Sequence, residues 1–407
     1  MKSSPAPASP AYPEFKKLAE KPVFYYNKTM KTGVATIPLD YGKCPPWLFL
    51  RMKKLARAIM LAIREEFGPD EILRRLADPT WFQSLGCVMG FDWNSSGLTT
   101  TILGALKVGI FDIQDELGIY VCGGKKESRK TPEEIKAYSI SRGFDFENKL
   151  TYASKMAAKV DSSLIQDIAN PFALYQHNFI FSKTGNWAVI QQGMSIELQK
   201  ARRYHWLSNN INNLIEEPHS GIACDIKTNP LNLTSKKSSE NRFVSTDLAK
   251  EPKTFLKDIK SISEKRTELI KQKRLPGFAE MELSNVEFHW HPVVFEKFNL
   301  KRLEKTILGV KEHNPQNFEQ LLALQGIGPK TIRALSLVSE IIYGAKPSYE
   351  DPARYSFAVG GKDGTPFFVE KETYDKVLNI MQKGINKSGI SLKEKQDAQK
   401  RLNKSFL

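Results

Sequence analysis

The sequence predicts a mixed α+β N-terminal domain followed by an all-α domain. Between residues 31 and 225, runs with the spacing of an amphipathic helix alternate with short β-like runs. Towards the C-terminus, two helical runs flank a glycine-containing turn at residues 326–328. The segment between these parts, residues 224–247, is rich in Asn, Ser, Thr and Lys and has no period, which is typical of a loop or linker.

These patterns divide the chain into five parts. They are a flexible tail (1–30), an α+β domain (31–225), a linker with a basic helix (226–300), a helix-hairpin-helix domain (301–383) and a charged C-terminal tail (384–407). The basic helix carries Lys and Arg from residue 253 onwards and stops at Pro276-Gly277, and it could follow the backbone of a bound duplex.

Composition narrows the class of protein. The chain has 407 residues, is 41% apolar, and contains no apolar run long enough to cross a bilayer. Its first thirteen residues are rich in Pro, Ala and Ser and lack the apolar segment of a signal peptide, so a cytoplasmic protein is predicted. Four widely spaced cysteines suggest buried thiols and neither a disulfide framework nor a zinc ribbon: Cys44, Cys87, Cys122 and Cys224.

The charge balance favours an anionic partner. Sixty Lys and Arg against 45 Asp and Glu give a formal net charge of +15. No strongly amphipathic basic anchor is evident, so nucleic acid is a better candidate than a membrane. Whether protein partners in DNA repair also bind is left open by the sequence.

The first half of the α+β domain opens with helices. An apolar stripe from Leu48 to Phe67 predicts one helix, which Gly68-Pro69 ends, and Asp78-Pro79 closes the next. A third helix opens at Thr99 after the loop 92–97, whose hydroxyls and amides either cap the helix or bind a phosphate.

A basic loop follows a predicted strand. The strand, Gly118–Cys122, enters Gly123-Gly124, and the loop after it carries Lys125, Lys126, Arg129 and Lys130. Such a loop is either a clamp for the backbone of nucleic acid or a solvated basic turn. Residues 131–134, TPEE, predict a helix that starts with a capping box and Pro at its first position.

The densest group of polar residues lies between residues 161 and 205. Carboxylates, imidazoles and paired arginines could together hold a Mg or Mn ion and neutralise a scissile phosphate, which is the chemistry of a metal-dependent nuclease. The candidate metal ligands are Asp161, Asp167 and His177, and the alternative is that the histidines are structural. The Arg-Arg-Tyr-His-Trp run at 202–206 is predicted to be helical. The catalytic candidates are Asp161, Asp167, His177, Arg202, Arg203 and His205, with His219 just beyond them.

The C-terminal turn carries the most specific pattern. Apolar residues recur at helical spacing on both sides of it: Phe318, Leu321 and Leu322 before, and Ile332, Leu335, Val338 and Ile342 after. Pro329 suits the first turn of the second helix. Glycines let a ligand approach the backbone, and the amides of the turn and helix start favour an anion.

This helix-hairpin-helix pattern predicts DNA binding through the phosphate backbone. Backbone amides cannot distinguish bases, so the binding should be independent of sequence and should weaken as salt rises. The alternative is an ordinary turn between packed helices, or a hairpin used against a protein. The predicted contacts are Gly326, Ile327, Gly328, Lys330, Thr331 and Arg333, with Lys125 and Lys126 from the basic loop.

An acid after the hairpin raises a second possibility. The order of a helix-hairpin-helix, a glycine and then Asp351 is similar to that of the helix-hairpin-helix DNA glycosylases. In those enzymes the catalytic Asp follows the second helix. Asp351 stands a few residues later than in that pattern, and no lysine matches the nucleophile of the bifunctional members.

Several strings taken together resemble one family. They are GVATIPL, PPWLFLRM, WFQSLGCVMGFDW, SSGLTT, GALK, CGGKKESRKTPEEI, NWAVIQQGM, ARRYHWLS, GIGPKTIRALSLVSEIIYG and YSFAVGGKDG. In this combination and order the chain resembles the prokaryotic domain-of-unknown-function family numbered 763, from about residue 33 to about residue 374. The resemblance implies an archaeal or bacterial protein with a C-terminal hairpin motif, and it implies no catalytic residues.

The sequence thus leaves three functions open. The first is a DNA-processing enzyme of repair or recombination, a metal-dependent nuclease whose hairpin holds the DNA. The second is a DNA glycosylase that uses Asp351. The third is a DNA-binding scaffold without catalysis.

Overall fold

The computed structural model describes residue 39 and residues 44–91, 95–125, 130–224, 226–272, 296–353 and 371–405. The helices in these ranges are α1 (Pro46–Phe67), α2 (Pro69–Leu76), α3 (Pro79–Val88), α4 (Gly97–Gly109), α5 (Gln114–Leu117), α6 (Thr131–Arg142), α7 (Glu147–Ser163), α8 (Ser239–Lys250), α9 (Pro252–Gln272), α10 (Leu300–His313), α11 (Phe318–Ala323), α12 (Pro329–Ile341), α13 (Lys371–Lys387) and α14 (Leu392–Ser405). The strands are β1 (Ile119–Lys125), β2 (Ile165–Gln166), β3 (Ala173–Ser182), β4 (Trp187–Ser195), β5 (Lys200–Leu207), β6 (His219–Ala223) and β7 (Leu231–Asn232).

Five strands form one antiparallel sheet. Its order is β1-β3-β4-β5-β6, and β2 pairs with β7 in a separate two-stranded ladder. The strands β3 and β4 are neighbours along the chain and pair as an antiparallel hairpin. The predicted combination of helices and sheet is therefore confirmed.

Helices cover both faces of this sheet. On one face, α1 to α4 pack against Val121, Ile180 and Ile190, together with side chains from α13 and α14. On the other face, a continuous apolar cluster joins Phe179 and Trp206 of the sheet to α7, α8 and α10 to α12. The helices on both sides of the C-terminal turn thus share a core with the sheet.

The first helices follow their sequence signals. Buried Met52, Leu55 and Ile59 place the apolar stripe of α1 against the core. Gly68 ends that helix with a φ of +86°, a conformation that favours glycine, and its N–H bonds to the carbonyl of Arg64. Asp78 begins α3 by accepting the N–H of Thr80 at 2.8 Å.

Two predictions of secondary structure are wrong. Residues 202–206 lie on strand β5 and not on a helix. Because helices cover both faces of the sheet, every residue of this strand from 201 to 207 is buried, and the alternation that marks a half-exposed strand is missing. The segment 224–247 is not an irregular linker throughout, since β7 and most of α8 lie within it.

Some predicted features lie outside the described residues. They are the tail 1–30, the β-like run at 34–38, residues 92–94, Lys126, Arg129 and the Pro276-Gly277 stop. The four cysteines are free; Cys122 and Cys224 are buried as expected, whereas Cys44 and Cys87 are half-buried. None of the helices in the described ranges has the length and apolar character needed to span a bilayer.

Candidate functional site

The turn between α11 and α12 faces solvent. Ile327 in its middle is buried, with 4% of its surface exposed, and this fixes the turn to the core below. The residues around Ile327 are exposed, namely Gln325, Gly326, Pro329 and Lys330. A ligand can therefore reach the outer side of the turn.

The two glycines of the turn have different structural roles. Gly326 has a φ of +85°, which a residue with a side chain rarely adopts, so the turn itself requires glycine there. Gly328 is extended, with φ −144° and ψ −174°, and a Cβ added to it would meet no atom within 4 Å. Neither backbone strain nor packing against the described residues explains Gly328.

The start of α12 carries a partial positive charge that no side chain caps. Gly328 occupies the N-cap position and no side chain caps this helix, whose first backbone bond runs from the N–H of Ile332 to the carbonyl of Gly328. The N–H groups of the first helical turn have no partner within an α-helix, and they carry the positive end of the helix dipole. Lys330 is exposed beside them.

Two of the predicted hairpin contacts point elsewhere. Thr331 is buried, with 6% of its surface exposed. Arg333 forms an ion pair with Glu296 at 2.5 Å and also donates to Gln166. Arg333 therefore joins the second helix to neighbouring segments and is not free to contact a phosphate.

Lys159 of α7 holds the end of α11. Its ammonium group donates to the carbonyls of Leu322 at 2.6 Å, Ala323 at 3.2 Å and Leu324 at 2.7 Å. The last carbonyls of a helix have no partner within the helix, and a cation there also suits the dipole. Nearby, the hydroxyl of Tyr152 donates to Glu319 at 2.8 Å. The hairpin is thus tied to α7 on the body of the protein.

The glycine pair that precedes the basic loop lies on strand β1, and contacts within the chain explain Gly123. Gly123 has a φ of +81°, and an added Cβ would collide with the carbonyl of His177. Glu134 accepts the N–H of Gly123 at 2.6 Å and pairs with Lys107 at 2.9 Å. The predicted capping box is therefore wrong, because α6 has no side-chain cap and Glu134 binds Gly123 instead. Lys125 remains exposed at the end of β1.

The sheet separates the predicted catalytic residues. Neighbours on a strand point to opposite faces, so Arg202 and Arg203 on β5 cannot act at one point. Arg202 shares its face with Tyr204 and Trp206, whereas Arg203 shares the other face with His205.

On the face that packs against α7, Asp161 is the centre of a hydrogen-bond network. Its Oδ1 lies 2.5 Å from Nε2 of His219, and its Oδ2 accepts from Trp206 Nε1 at 3.0 Å and from the amide of Gln191. The other end of the Gln191 side chain, Oε1, lies 2.7 Å from Nδ1 of His177. Asp161 and His177 are thus linked through Gln191.

On the opposite face, Arg203 has only neutral partners in the described part of the chain. Its guanidinium donates to Gln83 at 2.9 Å, to Thr99 at 3.2 Å and to Nε2 of His205 at 3.0 Å. Burial lowers the pKa of Arg203 to about 9, which reflects the cost of a desolvated charge without a carboxylate beside it. Burial, together with Arg203, likewise holds the pKa of His205 well below its usual value.

Asp167 and Asp351 have structural partners. Asp167 accepts the N–H of Asn170 at 2.9 Å. Asp351 pairs with Arg202 at 2.7 Å, both side chains being almost fully buried, and it accepts the N–H of Thr228 at 2.9 Å. A base drawn out of a duplex could not reach Asp351 in this arrangement.

The predicted metal ligands are not brought together. Asp161 uses both oxygens on protein donors, Asp167 caps its own loop, and His177 uses both ring nitrogens on Gln191 and Ser154. Within the ranges that the structure describes, no group of three or more His, Cys, Asp and Glu side chains has the arrangement of a metal site.

Sequence reasoning missed three residues at these sites. Lys159, Ser154 and Gln191 lie in runs that read only as helix or strand. The one signal in the sequence was composition, since Gln191 and Gln192 follow the apolar run of residues 187–190 directly.

The comparisons with known proteins identify the family. A family model described as "Protein of unknown function (DUF763)" matches residues 33–369. The chain belongs to this family. No curated protein and no solved structure matches the chain. DUF763 membership agrees with the resemblance of the motifs in the sequence, and it assigns no chemistry to any residue.

Proposed function

We propose that the protein binds the phosphate backbone of DNA, without reading its sequence, through the turn between α11 and α12. The observation that carries this proposal is Gly328. Its extended backbone suits any residue, and an added Cβ would meet no atom of the described residues within 4 Å, so one reason for glycine at this uncapped helix start is the close approach of a ligand. A phosphate that lies against the backbone is such a ligand, because a side chain would keep it away.

The electrostatics of the same surface support an anionic ligand. The uncapped start of α12 offers backbone N–H groups, and the exposed Lys330 stands at its edge. Lys155 on α7 is also exposed, and it lines a cavity together with Ala323 at the end of α11. A net charge of +15 gives the whole chain an attraction for polyanions.

A glycine replacement tests the proposal directly. Gly328→Val should weaken binding to a fluorescently labelled duplex by at least about tenfold, measured by anisotropy, because the side chain blocks the approach of the backbone. Gly389→Val is the matched control, since Gly389 is also exposed, has no positive φ and has open space around its Cβ position. Equal affinity of the two variants and the parent protein would remove the turn from the binding surface.

A lysine replacement tests the electrostatic part. Lys330→Ala should lower the affinity modestly and should reduce the slope of log K against log salt by about one counterion. Lys346→Ala, a substitution beyond the second helix, should leave the slope as it is. Parallel titrations with duplex DNA and duplex RNA distinguish the two backbones, and a preference for RNA would contradict the DNA assignment.

The enzymatic alternatives receive less support. Asp351 is buried in an ion pair with Arg202, which is the opposite of the accessible acid that a glycosylase needs. The positions and partners of Asp161, Asp167 and His177 do not support metal-dependent cleavage with Mg or Mn. We therefore propose a DNA-binding protein, with DNA repair or recombination as its setting.

A further inference from the structure

Helix α10 lies against the turn between α11 and α12. A Cβ added to Gly326 would lie 3.8 Å from Cγ2 of Thr306. Thr306 stands in the middle of α10 and is half-buried. The side of α10 that carries Thr306 therefore borders the proposed phosphate-binding surface of the turn.

The spacing of an α-helix determines which residues share that side. Residues three or four positions apart are neighbours on the helix surface. Among such neighbours of Thr306, Leu303 and Val310 are buried in the core. On the solvent side, Arg302 is exposed and Gly309 is half-buried. The solvent-side residues form one surface, the α10 flank: Arg302, Lys305, Thr306 and Gly309.

The α10 flank carries positive charge. Arg302 and Lys305 are both exposed, and no carboxylate among the residues that the structure describes forms an ion pair with either of them. Of the two acids of α10, Glu304 lies on the opposite side of the helix, and Glu312 lies at the outer edge, two turns beyond Lys305. With Lys330 at the start of α12, the flank makes a cationic surface that two helices share.

Packing in the described part of the chain does not explain Gly309. This residue lies within α10, where glycine weakens a helix relative to alanine. A Cβ added to it would meet no atom of the described residues within 4 Å. One reason for glycine at such a position is the close approach of a ligand to the helix backbone, as at Gly328 in the turn. Both glycines border the same cationic surface.

We propose that the α10 flank is a second contact for the backbone of the DNA duplex that the turn binds. This inference rests on the proposed function and extends it from one phosphate site to a surface on two helices. Arg302 and Lys305 neutralise phosphates, and Gly309 lets the DNA backbone lie close to the helix. A polyanion that contacts both helices at once interacts with all of these charges, which a single phosphate group cannot do.

The composition of this surface favours a duplex over a single strand. Proteins that bind single strands stack the bases on aromatic side chains. Neither α10 nor the turn at residues 324–330 contains Phe, Trp or Tyr. Cations and backbone N–H groups contact phosphates, which a duplex presents on its outer surface. The expected ligand is therefore double-stranded DNA of any sequence.

A glycine replacement in α10 separates a binding role from a structural one. Gly309→Gln should weaken binding to a fluorescently labelled duplex by at least about fivefold, because the side chain keeps the phosphate backbone away from the helix. The same change should leave the thermal midpoint of unfolding equal or higher, because Gln favours a helix more than Gly does. Gly389→Gln is the control, since a Cβ at Gly389 also meets no described atom within 4 Å. A Gly309→Gln variant that binds like the parent protein would overturn the inference.

A charge replacement on each side of α10 tests the electrostatic contact. Arg302→Gln should reduce the slope of log K against log salt by about one counterion, and adding Lys330→Ala should reduce it by about one more. Lys311→Gln is the matched control, because Lys311 is exposed on the opposite side of the same helix. This control should keep the slope of the parent protein.

The results distinguish a failure of this inference from a failure of the proposed function. Equal slopes for Arg302→Gln and Lys311→Gln would overturn the inference, while weaker binding by Gly328→Val would still uphold the turn. Parent-like binding by Gly328→Val as well would overturn the proposed function itself. A single strand bound as tightly as the duplex would overturn the choice of duplex.

Discussion

Two neighbouring arginines on β5, Arg202 and Arg203, lie on opposite faces of the central sheet and have different kinds of partner. Arg202 points towards α7 and is matched by the carboxylate of Asp351 at 2.7 Å. Arg203, the next residue, points towards α3 and α4 and has amide, hydroxyl and imidazole partners. A buried cation is tolerated in both ways, but only the first arrangement compensates its charge.

The different partners shift the pKa values of Arg202 and Arg203 in opposite directions. Burial alone would lower the pKa of Arg202, but Tyr204 and Asp351 more than offset this and raise it. The pKa of Arg203 is lowered, because the effect of burial outweighs the opposing effect of Tyr175. Arg202 is therefore stabilised by an ion pair, whereas Arg203 is stabilised by neutral hydrogen bonds.

The largest expected effect comes from breaking the ion pair. Asp351→Asn keeps the shape and an accepting oxygen for Thr228, but it leaves the buried Arg202 charge unmatched. The free energy of unfolding should fall by about 3–5 kcal/mol, measured by urea denaturation. Arg202→Met combined with Asp351→Asn should recover part of this loss, and a double variant as unstable as the single one would contradict the role of charge.

The next effect is a dependence of stability on pH from one histidine on each face. Burial lowers the pKa of both His177 and His205 from 6.5. Below pH 6.5 the unfolded chain therefore binds protons that the folded chain does not, so stability falls as pH falls towards the folded pKa and is fully present above 6.5. The slope is about 1.4 kcal/mol per pH unit for each histidine.

Replacing each histidine separately sharpens this comparison. His205→Gln should flatten the curve of stability against pH over a wider range than His177→Gln, because Arg203 further lowers the pKa of His205. Thermal unfolding between pH 4 and 8 measures both curves. Identical curves for the two variants would show that the faces do not differ in this respect.

The smallest expected effect comes from removing the unmatched cation. Arg203→Met leaves Gln83, Thr99 and His205 without a donor but also removes a desolvated charge, so the two contributions oppose each other. The net change in the free energy of unfolding should stay within about 2 kcal/mol. A loss as large as that of Asp351→Asn would mean that a negative group compensates Arg203 after all.

Local rules predicted most of the helices but not the strand that carries the arginines. The stripe of α1 and the bounds of α11 and α12 follow from apolar spacing and from Gly68 and Pro329. The prediction of a helix at 202–206 was wrong, because a strand buried on both faces need not alternate apolar and polar residues.

Helix α8 was missed for a different physical reason. Its contact with α12 is polar, because Ser245 bonds to Ser339 at 2.9 Å and Asn241 donates to the carbonyl of Ser336 at 3.2 Å. Small polar residues at a helix crossing hide the apolar period on which sequence reasoning depends. Only the tertiary structure shows that these positions are interior.

The candidate sites were predictable where chemistry depends on local backbone, and not where it depends on distance. The turn at 326–328 was found from its glycines, from Pro329 and from the helical spacing on both sides. The link from Asp161 to Ser154 joins two helical turns of α7 through strands β3 and β4, and nothing in the sequence relates these residues. For the same reason, the ion pair that occupies Arg333 could not be foreseen.

The contacts of Lys159 also fix the orientation of α11 relative to α7. The ammonium group of Lys159 donates to three carbonyls. A rotation of α11 about its own axis would therefore break at least one of these bonds. A binding module on a loose tether samples many orientations, whereas this hairpin presents a single one. A duplex bound as proposed above would therefore lie in one orientation relative to α7.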